Sequence, residues 1–293
     1  MRLLIIGGSG LVGSHVLRAA LARGHQAVGT FREHLQPGLE QLDCARPDDF
    51  AALLDKHQPD AVVHAAGWTW VDGCEDNPAR ALEENCRQPV RLAEICQRHG
   101  VRFACFSTSY IFDGEEGPYD EDAKPNPVNI YARSKWRAEQ ELSAATDGQV
   151  LLPRVICVYG EEALRKNFAC QVCDAMRVGN NLRLPADQSG NPTWAGDIAV
   201  ALVALLEQRA SGVWHLGGPN PDCGRAEWAR QLVVALEKIG VKPVAGFGIT
   251  EVSTHELGQK AARPLRAGII SRKLPNPTLP GIVADSVFQK IVG

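Results

Sequence analysis

One segment decides the fold: Arg2-Leu3-Leu4-Ile5-Ile6-Gly7-Gly8-Ser9-Gly10-Leu11-Val12-Gly13. The apolar run that ends at Ile6 predicts a buried strand, and the residues from Leu11 to Arg23 predict a helix that Gly24 ends. Glycines in the turn between them allow the backbone to approach a pyrophosphate, whose charge the helix N-terminus stabilises. The segment therefore predicts a dinucleotide site that contains Gly7, Gly10, Leu11, Val12 and Gly13. The alternative is a tight strand-to-helix turn without a ligand, since the spacing is G-x-x-G-x-x-G rather than G-x-G-x-x-G.

The same alternation of strand and helix continues along the chain. Further strands are predicted at 26–30, 61–64, 101–106 and 150–155, with helices at 47–57, 78–99 and 131–145. This order predicts an α/β protein with a Rossmann-type, doubly wound parallel sheet and a smaller C-terminal substrate-binding lobe. We assign residues 1–159, with a return segment at 193–216, to the nucleotide-binding domain, and residues 160–192 and 217–293 to the lobe.

Composition excludes several classes of protein. The net charge of −3 argues against a nucleic-acid or membrane-surface partner, and the longest apolar runs are too short to span a bilayer. The first apolar run is also too short for a signal peptide, so we expect a cytoplasmic protein. Nine scattered cysteines do not indicate a disulfide framework. The Cys170-x-x-Cys173 pair has no second pair with which to bind zinc, so no metal site is expected.

The candidate catalytic residues follow the strand at 101–106. This strand leads into the hydroxyls of Ser107 and Thr108, and a later helix begins with Tyr131 and Lys135, which are four residues apart and share a face. A lysine cation beside a phenol would lower its pKa from about 10, and Thr108 would donate a second hydrogen bond to the same carbonyl oxygen. The pattern indicates carbonyl reduction, although a surface Tyr–Lys pair is the alternative.

Further candidates follow the ends of other predicted strands, where open α/β sheets bind ligands. Arg32 follows the second strand with no acid before Glu33, which favours NADP over NAD, although an ordinary surface cation is the alternative. Asp43 could meet the adenine amino group. The other cofactor candidates are Ala65, Ala66, Gly67 and Asn85, together with Tyr131 and Lys135, and the loop residues Trp68, Thr69 and Trp70 are candidates for substrate contact.

Taken together, these motifs resemble the extended short-chain dehydrogenase/reductase family, and within it the dTDP-4-dehydrorhamnose reductases. The resemblance extends from the glycine turn to Ala65-Ala66-Gly67-Trp68-Thr69-Trp70-Val71-Asp72, Asn85, Ser107-Thr108-Ser109-Tyr110-Ile111-Phe112-Asp113-Gly114, Tyr131-x-x-x-Lys135, Gly190-Asn191-Pro192-Thr193-Trp194 and Ala262-Arg263-Pro264. It implies NADPH in preference to NADH, a nucleotide-linked 4-keto-6-deoxy sugar, and often a homodimer. It also implies Thr108, Tyr131 and Lys135 as catalytic residues, with Thr193 and Arg263 as further substrate contacts. In the implied reaction, hydride passes from NADPH to the keto carbon, and Tyr131 protonates the oxygen.

Three departures from the family pattern leave alternatives open. Ser109 stands where the family usually has Asp, Trp70 where it has a small residue, and Arg266-Ala267 where it tends to Asn-Ser. A dehydratase or epimerase on the same scaffold is one alternative, but dehydration needs an acid and a base beside the Thr. The other is a non-catalytic NADP-binding subunit that resembles the regulatory subunit of methionine adenosyltransferase.

Overall fold

The computed structural model of this chain describes residues 1–274 and 285–292, so 275–284 and 293 of the predicted lobe lie outside the described residues. The strands are β1 Arg2–Ile6, β2 Gln26–Phe31, β3 Glu40–Gln41, β4 Ala61–His64, β5 Arg102–Cys105, β6 Ser107–Thr108, β7 Leu151–Val155, β8 Val158–Tyr159, β9 Asn181–Pro185, β10 Ser189–Gly190, β11 Thr193–Trp194, β12 Gly212–His215, β13 Cys223–Gly224 and β14 Gly248–Val252. The α-helices are α1 Leu11–Ala22, α2 Pro47–His57, α3 Val71–Asp76, α4 Pro78–Leu82, α5 Gln88–Arg98, α6 Ile130–Ala145, α7 Phe168–Val178, α8 Ala195–Glu207, α9 Arg225–Lys238 and α10 Asp285–Val292.

The central sheet confirms the predicted fold class. Its strands run in the order β12-β7-β5-β4-β1-β2-β3, with β6 beside β7, and every pair is parallel. Alternate residues of β1 enter different apolar layers: Leu4 and Ile6 pack on one face, Leu3 and Ile5 on the other. A strand that is buried on both faces reads as a continuous apolar run, which is why β1 was recognisable in the sequence.

Three elements differ from the expectation. The predicted helix at 78–99 is interrupted by a π-helical segment, Glu83–Arg87, between α4 and α5. A loop was expected from Trp68 to Asp72, but the short helix α3 begins at Val71. Strand β14 was missed because it pairs only with β9, in a two-stranded sheet outside the central one.

The lobe has its own apolar core, in which α7 and α9 pack with residues of β9 and with Ile291 of α10. The predicted domain boundaries remain a proposal. One segment of the assigned lobe packs instead against the main body: Ile269 forms a bridge with Tyr119, and Ala267 and Ile269 share an apolar cluster with Phe112. None of the described helices combines the length and apolar character that a bilayer span requires.

A mostly buried carboxylate connects α1 to the chain that follows β8. Glu161 lies 3.3 Å from His15 Nε2 and 3.0 Å from Arg18 Nη2. Burial by itself would raise the pKa of Glu161, but the interactions with His15 and Arg18 outweigh it and lower the pKa to about 2. A depressed carboxyl pKa contributes stability above the unfolded value of about 4.3, and this stability is lost as the pH falls towards 2.

We expect Glu161→Gln to destabilise the fold by about 2 kcal/mol at pH 7, and by about half as much at pH 3. At pH 3 the carboxyl group is mostly protonated in the unfolded chain but not in the folded one, so part of its contribution to stability is already lost. Urea denaturation of both proteins at pH 7, 4.5 and 3 measures this difference. The exposed Glu115→Gln serves as a control and should change stability little at any pH. A difference that stays constant with pH would contradict the assignment.

Candidate active site

The glycine turn has the close backbone packing that a dinucleotide site needs. Gly7 has φ +79°, and a Cβ at Gly13 would lie 2.1 Å from the Gly7 carbonyl oxygen, so only glycine fits there. A Cβ at Gly7 would lie 3.0 Å from the Ala66 nitrogen, which places the turn directly against the Ala65–Ala66 backbone. Gly10, Leu11 and Val12 follow in the same turn and open α1. The predicted residues therefore lie together in one turn at the start of α1.

Arg32 and Asp43 also lie at this edge of the sheet, next to the ends of β2 and β3. The half-exposed Arg32 guanidinium is 3.0 Å from Glu33 and 3.5 Å from Glu84. The Asp43 carboxylate accepts the backbone N–H of Ala45 at 3.0 Å. Arg32 can therefore reach a 2′-phosphate only by competing with two carboxylates for the same guanidinium.

The Thr108 hydroxyl is oriented by its own backbone neighbour. Its Oγ1 accepts the N–H of Tyr110 at 3.1 Å, which leaves the hydroxyl hydrogen free to be donated elsewhere. The Thr108 hydroxyl also acts on the Tyr131 phenol, whose pKa it lowers. The threonine is only 7% exposed, so a substrate oxygen at this point would be largely desolvated.

Tyr131 differs from the expectation in one respect. Burial raises the pKa of its phenol above the ordinary value, and the effect of the Thr108 hydroxyl only partly opposes this. The prediction that Lys135 lowers the pKa is therefore wrong for this structure. The Lys135 ammonium instead donates to the Phe106 carbonyl at 2.6 Å, at the end of the neighbouring strand. At neutral pH the phenol is protonated, which suits a proton donor.

Asn85 braces the loop after β4. Its amide oxygen accepts the N–H of Trp68 at 2.8 Å, and its amide nitrogen donates to the Trp68 carbonyl at 3.0 Å and to the Ser134 hydroxyl at 3.2 Å. The side chain is buried and holds the loop against α6, and its expected role in cofactor binding stays a prediction. The loop itself leads to Thr69 and Trp70, which are exposed, the latter by 64%.

The two predicted substrate contacts from the later part of the chain have different outcomes. Thr193 is fully buried, and its hydroxyl donates to the Asn191 carbonyl and accepts the Gly218 N–H, each at 2.9 Å. It is therefore a structural residue and the expectation of direct contact is wrong. Arg263 donates through Nη2 to Asp72 at 2.8 Å, while its Nη1 is buried with no hydrogen-bond partner in the described part of the chain.

Two residues of the site were not predicted from the sequence. Tyr110 packs edge-on against Tyr131, with ring centroids 6.2 Å apart, and the charges of Arg225 and Arg263 act on its phenol. The Arg225 guanidinium lies 4.4 Å above the Phe168 ring and 4.0 Å from Cys157 Sγ. Arg225 is the first residue of α9, where the helix dipole disfavours a cation. That unfavourable position was the available signal.

The C-x-x-C pair lies in the core of the lobe. Cys170 and Cys173 are fully buried in the lobe core, which agrees with their interpretation as small apolar residues. Among residues 1–274 and 285–292, no cluster of His, Cys, Asp and Glu has the arrangement of a metal site.

The arrangement can carry out one kind of chemistry particularly well. The protonated phenol of Tyr131 and the hydroxyl of Thr108 lie at the carboxyl edge of the parallel sheet. Lys135 and the glycine-rich turn lie at the same edge. The phenol and the hydroxyl together can donate two hydrogen bonds to a carbonyl oxygen, and the phenol can then transfer its proton to that oxygen.

Comparison with known proteins agrees with this chemistry. The chain matches the family described as the RmlD substrate binding domain over residues 1–279. It is 31% identical to the dTDP-4-dehydrorhamnose reductase of Burkholderia thailandensis, covering 94% of this chain and 92% of the relative. It is also 31% identical to a probable low-salt glycan biosynthesis reductase, Agl14, of Haloferax volcanii, over 91% of this chain and 89% of the relative. Among solved structures, dTDP-4-dehydrorhamnose reductase of Bacillus anthracis in complex with NADP superposes with a TM-score of 0.84 at 24% identity, covering 99% and 98% of the two chains.

We expect Asn85→Ala to destabilise the protein by about 2–4 kcal/mol, because the buried peptide groups of Trp68 would lose their partners. Urea denaturation measures this loss. The exposed Asn220→Ala serves as the matched control and should cost less than about 0.5 kcal/mol. Equal stabilities for the two variants would show that the loop does not depend on Asn85.

Proposed function

This chain belongs to the RmlD substrate-binding-domain family, and from that membership and the site geometry we propose that it is an NADPH-dependent reductase of a nucleotide-linked 4-keto-6-deoxy sugar. The observation that carries the proposal is that Tyr131 and Lys135 lie one turn apart on α6, with the Thr108 hydroxyl acting on the Tyr131 phenol. Curated relatives over most of the chain are named as reductases of such dTDP-linked sugars.

The glycine turn fits the cofactor, since a Cβ at Gly13 would close it. Bound in this turn, the cofactor would supply hydride chemistry at the keto carbon. Gly7, Gly10 and Gly13 would lie along its diphosphate, with Arg32 near the 2′-phosphate, Asp43 near the adenine, and Ala65 to Gly67 along its path. Lys135 would hold the nicotinamide ribose. Arg32 carries the preference for NADPH over NADH, because a guanidinium matches phosphate in charge and geometry.

The reaction at the carbonyl follows from the hydrogen-bond geometry. Thr108 donates its free hydroxyl hydrogen to the substrate oxygen as negative charge develops there. Tyr131 donates a second hydrogen bond and transfers its proton to this oxygen, which yields the hydroxyl of the product. Burial keeps the phenol protonated beforehand, so the proton is in place when hydride arrives.

The diphosphate of the substrate would lie near Tyr110. Burial raises the pKa of the Tyr110 phenol, and the positive charges of Arg225 and Arg263 both oppose this effect. The buried Nη1 of Arg263 has a free donor, and Arg225 lies over aromatic rings rather than beside a carboxylate in the described chain. An anion placed there would receive charge-assisted hydrogen bonds from both groups. Trp68, Thr69 and Trp70 would border the sugar on the other side.

The alternative functions are less well supported. Dehydration needs an acid and a base next to Thr108, but Ser109 is buried without a partner for its hydroxyl in the described residues and Tyr110 is a neutral phenol. A purely regulatory subunit would have no need of the Thr108–Tyr131 contact. The proposal also includes a cytoplasmic homodimer, which the composition and the family resemblance support.

We expect Tyr131→Phe to lower reductase turnover by at least about 100-fold, because it removes the proton donor without removing the ring. The measurement is NADPH oxidation in the presence of a dTDP-4-keto-6-deoxy sugar. The variant should still bind NADPH with an affinity within about threefold of wild type, measured by cofactor fluorescence. Equal turnover in the two proteins would contradict the catalytic assignment.

We expect Arg225→Met to raise the KM for the dTDP-sugar by about 10-fold or more with little change in kcat, since one charge-assisted hydrogen bond to the substrate is lost. Methionine keeps the packing on Phe168. The matched control is Arg230→Met on the same helix, whose side chain pairs with Glu251 at the surface and should leave KM unchanged. A normal KM in Arg225→Met would place the diphosphate elsewhere.

A further inference from the structure

A buried ion pair lies directly behind the proposed catalytic residues. Arg154 donates to Glu139 through Nε at 3.0 Å and through Nη2 at 2.7 Å, which is a two-point contact between planar groups. Both residues are 3% exposed. Glu139 lies one helical turn after Lys135 on α6, and Arg154 lies on β7, beside β6. The pair therefore connects α6, the helix that carries Tyr131, to β7 of the central sheet.

Glu139 also holds the strand that carries Thr108. The Ser107 hydroxyl donates to the Glu139 carboxylate, and Ser107 is the residue immediately before Thr108. Strand β6 is only two residues long, and its ladder partners are Arg154 and Val155 of β7. So short a strand has few backbone hydrogen bonds to fix its position. The carboxylate supplies the side-chain contact that fixes it relative to α6.

The other side of Arg154 reaches β12. Its Nη1 lies 3.3 Å from His215 Nε2, while His215 Nδ1 lies 3.2 Å from the Tyr119 carbonyl oxygen and 3.0 Å from that of Ile270. Burial and the Arg154 charge lower the pKa of His215 to about 4, so the ring is neutral at pH 7. Because carbonyls can only accept, the proton lies on Nδ1, and Nε2 accepts from Arg154.

The network continues into the segment that follows Arg263. The Glu121 carboxylate accepts hydrogen bonds from the backbone N–H of His215 at 3.2 Å, the Ser271 hydroxyl at 2.5 Å and the backbone N–H of Arg272 at 2.9 Å. Hydrogen bonds therefore connect β6, α6, β7 and β12 with residues 270–272, while Arg263, a few residues earlier, reaches Asp72 at the site. The carbonyl end of the proposed site is therefore joined to this network through Ser107 and Glu139.

A buried ion pair of this kind is poor evidence for stability alone. The desolvation cost of two charges often equals or exceeds their attraction, and apolar residues of similar volume can replace such a pair without loss of stability. What an apolar pair cannot do is fix two elements through directed hydrogen bonds to Ser107 and His215. Catalysis is sensitive to this geometry, because a misplacement of about 1 Å can cost about 100-fold in rate.

We propose that Glu139 and Arg154 are positioning residues, which hold Thr108 on β6 at a fixed place relative to Tyr131 and Lys135 on α6. This inference rests on the proposed reductase function. The pair touches neither the cofactor nor the sugar and acts only through Ser107 and the helix. Its removal should therefore slow the step at the carbonyl and leave binding nearly intact.

The test is Glu139→Gln, compared with wild type in single-turnover oxidation of bound NADPH by a saturating dTDP-4-keto-6-deoxy sugar. Active protein is counted by stoichiometric NADPH binding, so that any unfolded fraction does not enter the rate. We expect the rate to fall at least about 10-fold, with the Kd for NADPH and the KM for the sugar within about threefold of wild type. A rate within twofold of wild type in the counted protein overturns the proposal.

The same helix provides a matched control. Glu141, two residues further along, pairs with Arg137 at the surface. Glu141→Gln removes an ordinary i,i+4 pair and should leave the rate unchanged; an equal loss of rate in this variant overturns the proposal. Wild-type activity and the Tyr131→Phe variant separately decide the proposed function, so its failure would be seen before Glu139 is tested.

A second variant covers the case in which an unpaired Arg154 prevents folding. The double substitution Glu139→Met with Arg154→Met removes both charges together. We expect this protein to fold and bind NADPH, to turn over at least about 10-fold more slowly, and to show faster amide hydrogen exchange at residues 107–108 than wild type. A folded double variant with wild-type rate and exchange would show that the pair is dispensable for positioning.

Discussion

Parallel pairing across the central sheet is the constraint on which the site depends. Because all its strands run in one direction, the turn after β1, the loop after β4 and the hydroxyls of β6 open at the same edge. The turn after β1 packs so closely on the loop after β4 that a Cβ at Gly7 would lie 3.0 Å from the Ala66 nitrogen. Residues that are far apart in sequence therefore lie at one edge because the strands before them run in the same direction.

At this edge, burial rather than a neighbouring cation determines the direction in which the pKa of Tyr131 shifts. A lysine four residues later on a helix was expected to lower the pKa of the phenol. In the folded chain the Lys135 ammonium is committed to the Phe106 carbonyl, and desolvation of Tyr131 dominates. The consequence is chemically consistent: a donor that must protonate an oxyanion benefits from remaining protonated until charge develops on the substrate.

The sequence was most informative where a single physical cause operates. Strands such as β4, at Ala61–His64, and helices such as α2, at Pro47–His57, were predicted with their observed bounds, because continuous burial and a proline at the first helical position leave local marks. The glycine turn was predictable for the same reason. Strand β14 was not, because its pairing with β9 depends on the lobe's tertiary contacts. Thr193 was misassigned because a buried hydroxyl and an exposed one look alike in a sequence.

The residues that were missed share a different property: their role arises from what lies across from them. Glu139 and Arg154 each read as ordinary members of a helix and a strand, and only the fold shows that they form a buried pair beside Ser107. Arg225 likewise gains its meaning from Phe168 and Tyr110. Periodicity predicts which face of an element is buried, but it carries no information about which partner that face will meet. A polar residue at a buried position is therefore the feature to question first, because it must find a partner, and that partner often lies near the chemistry.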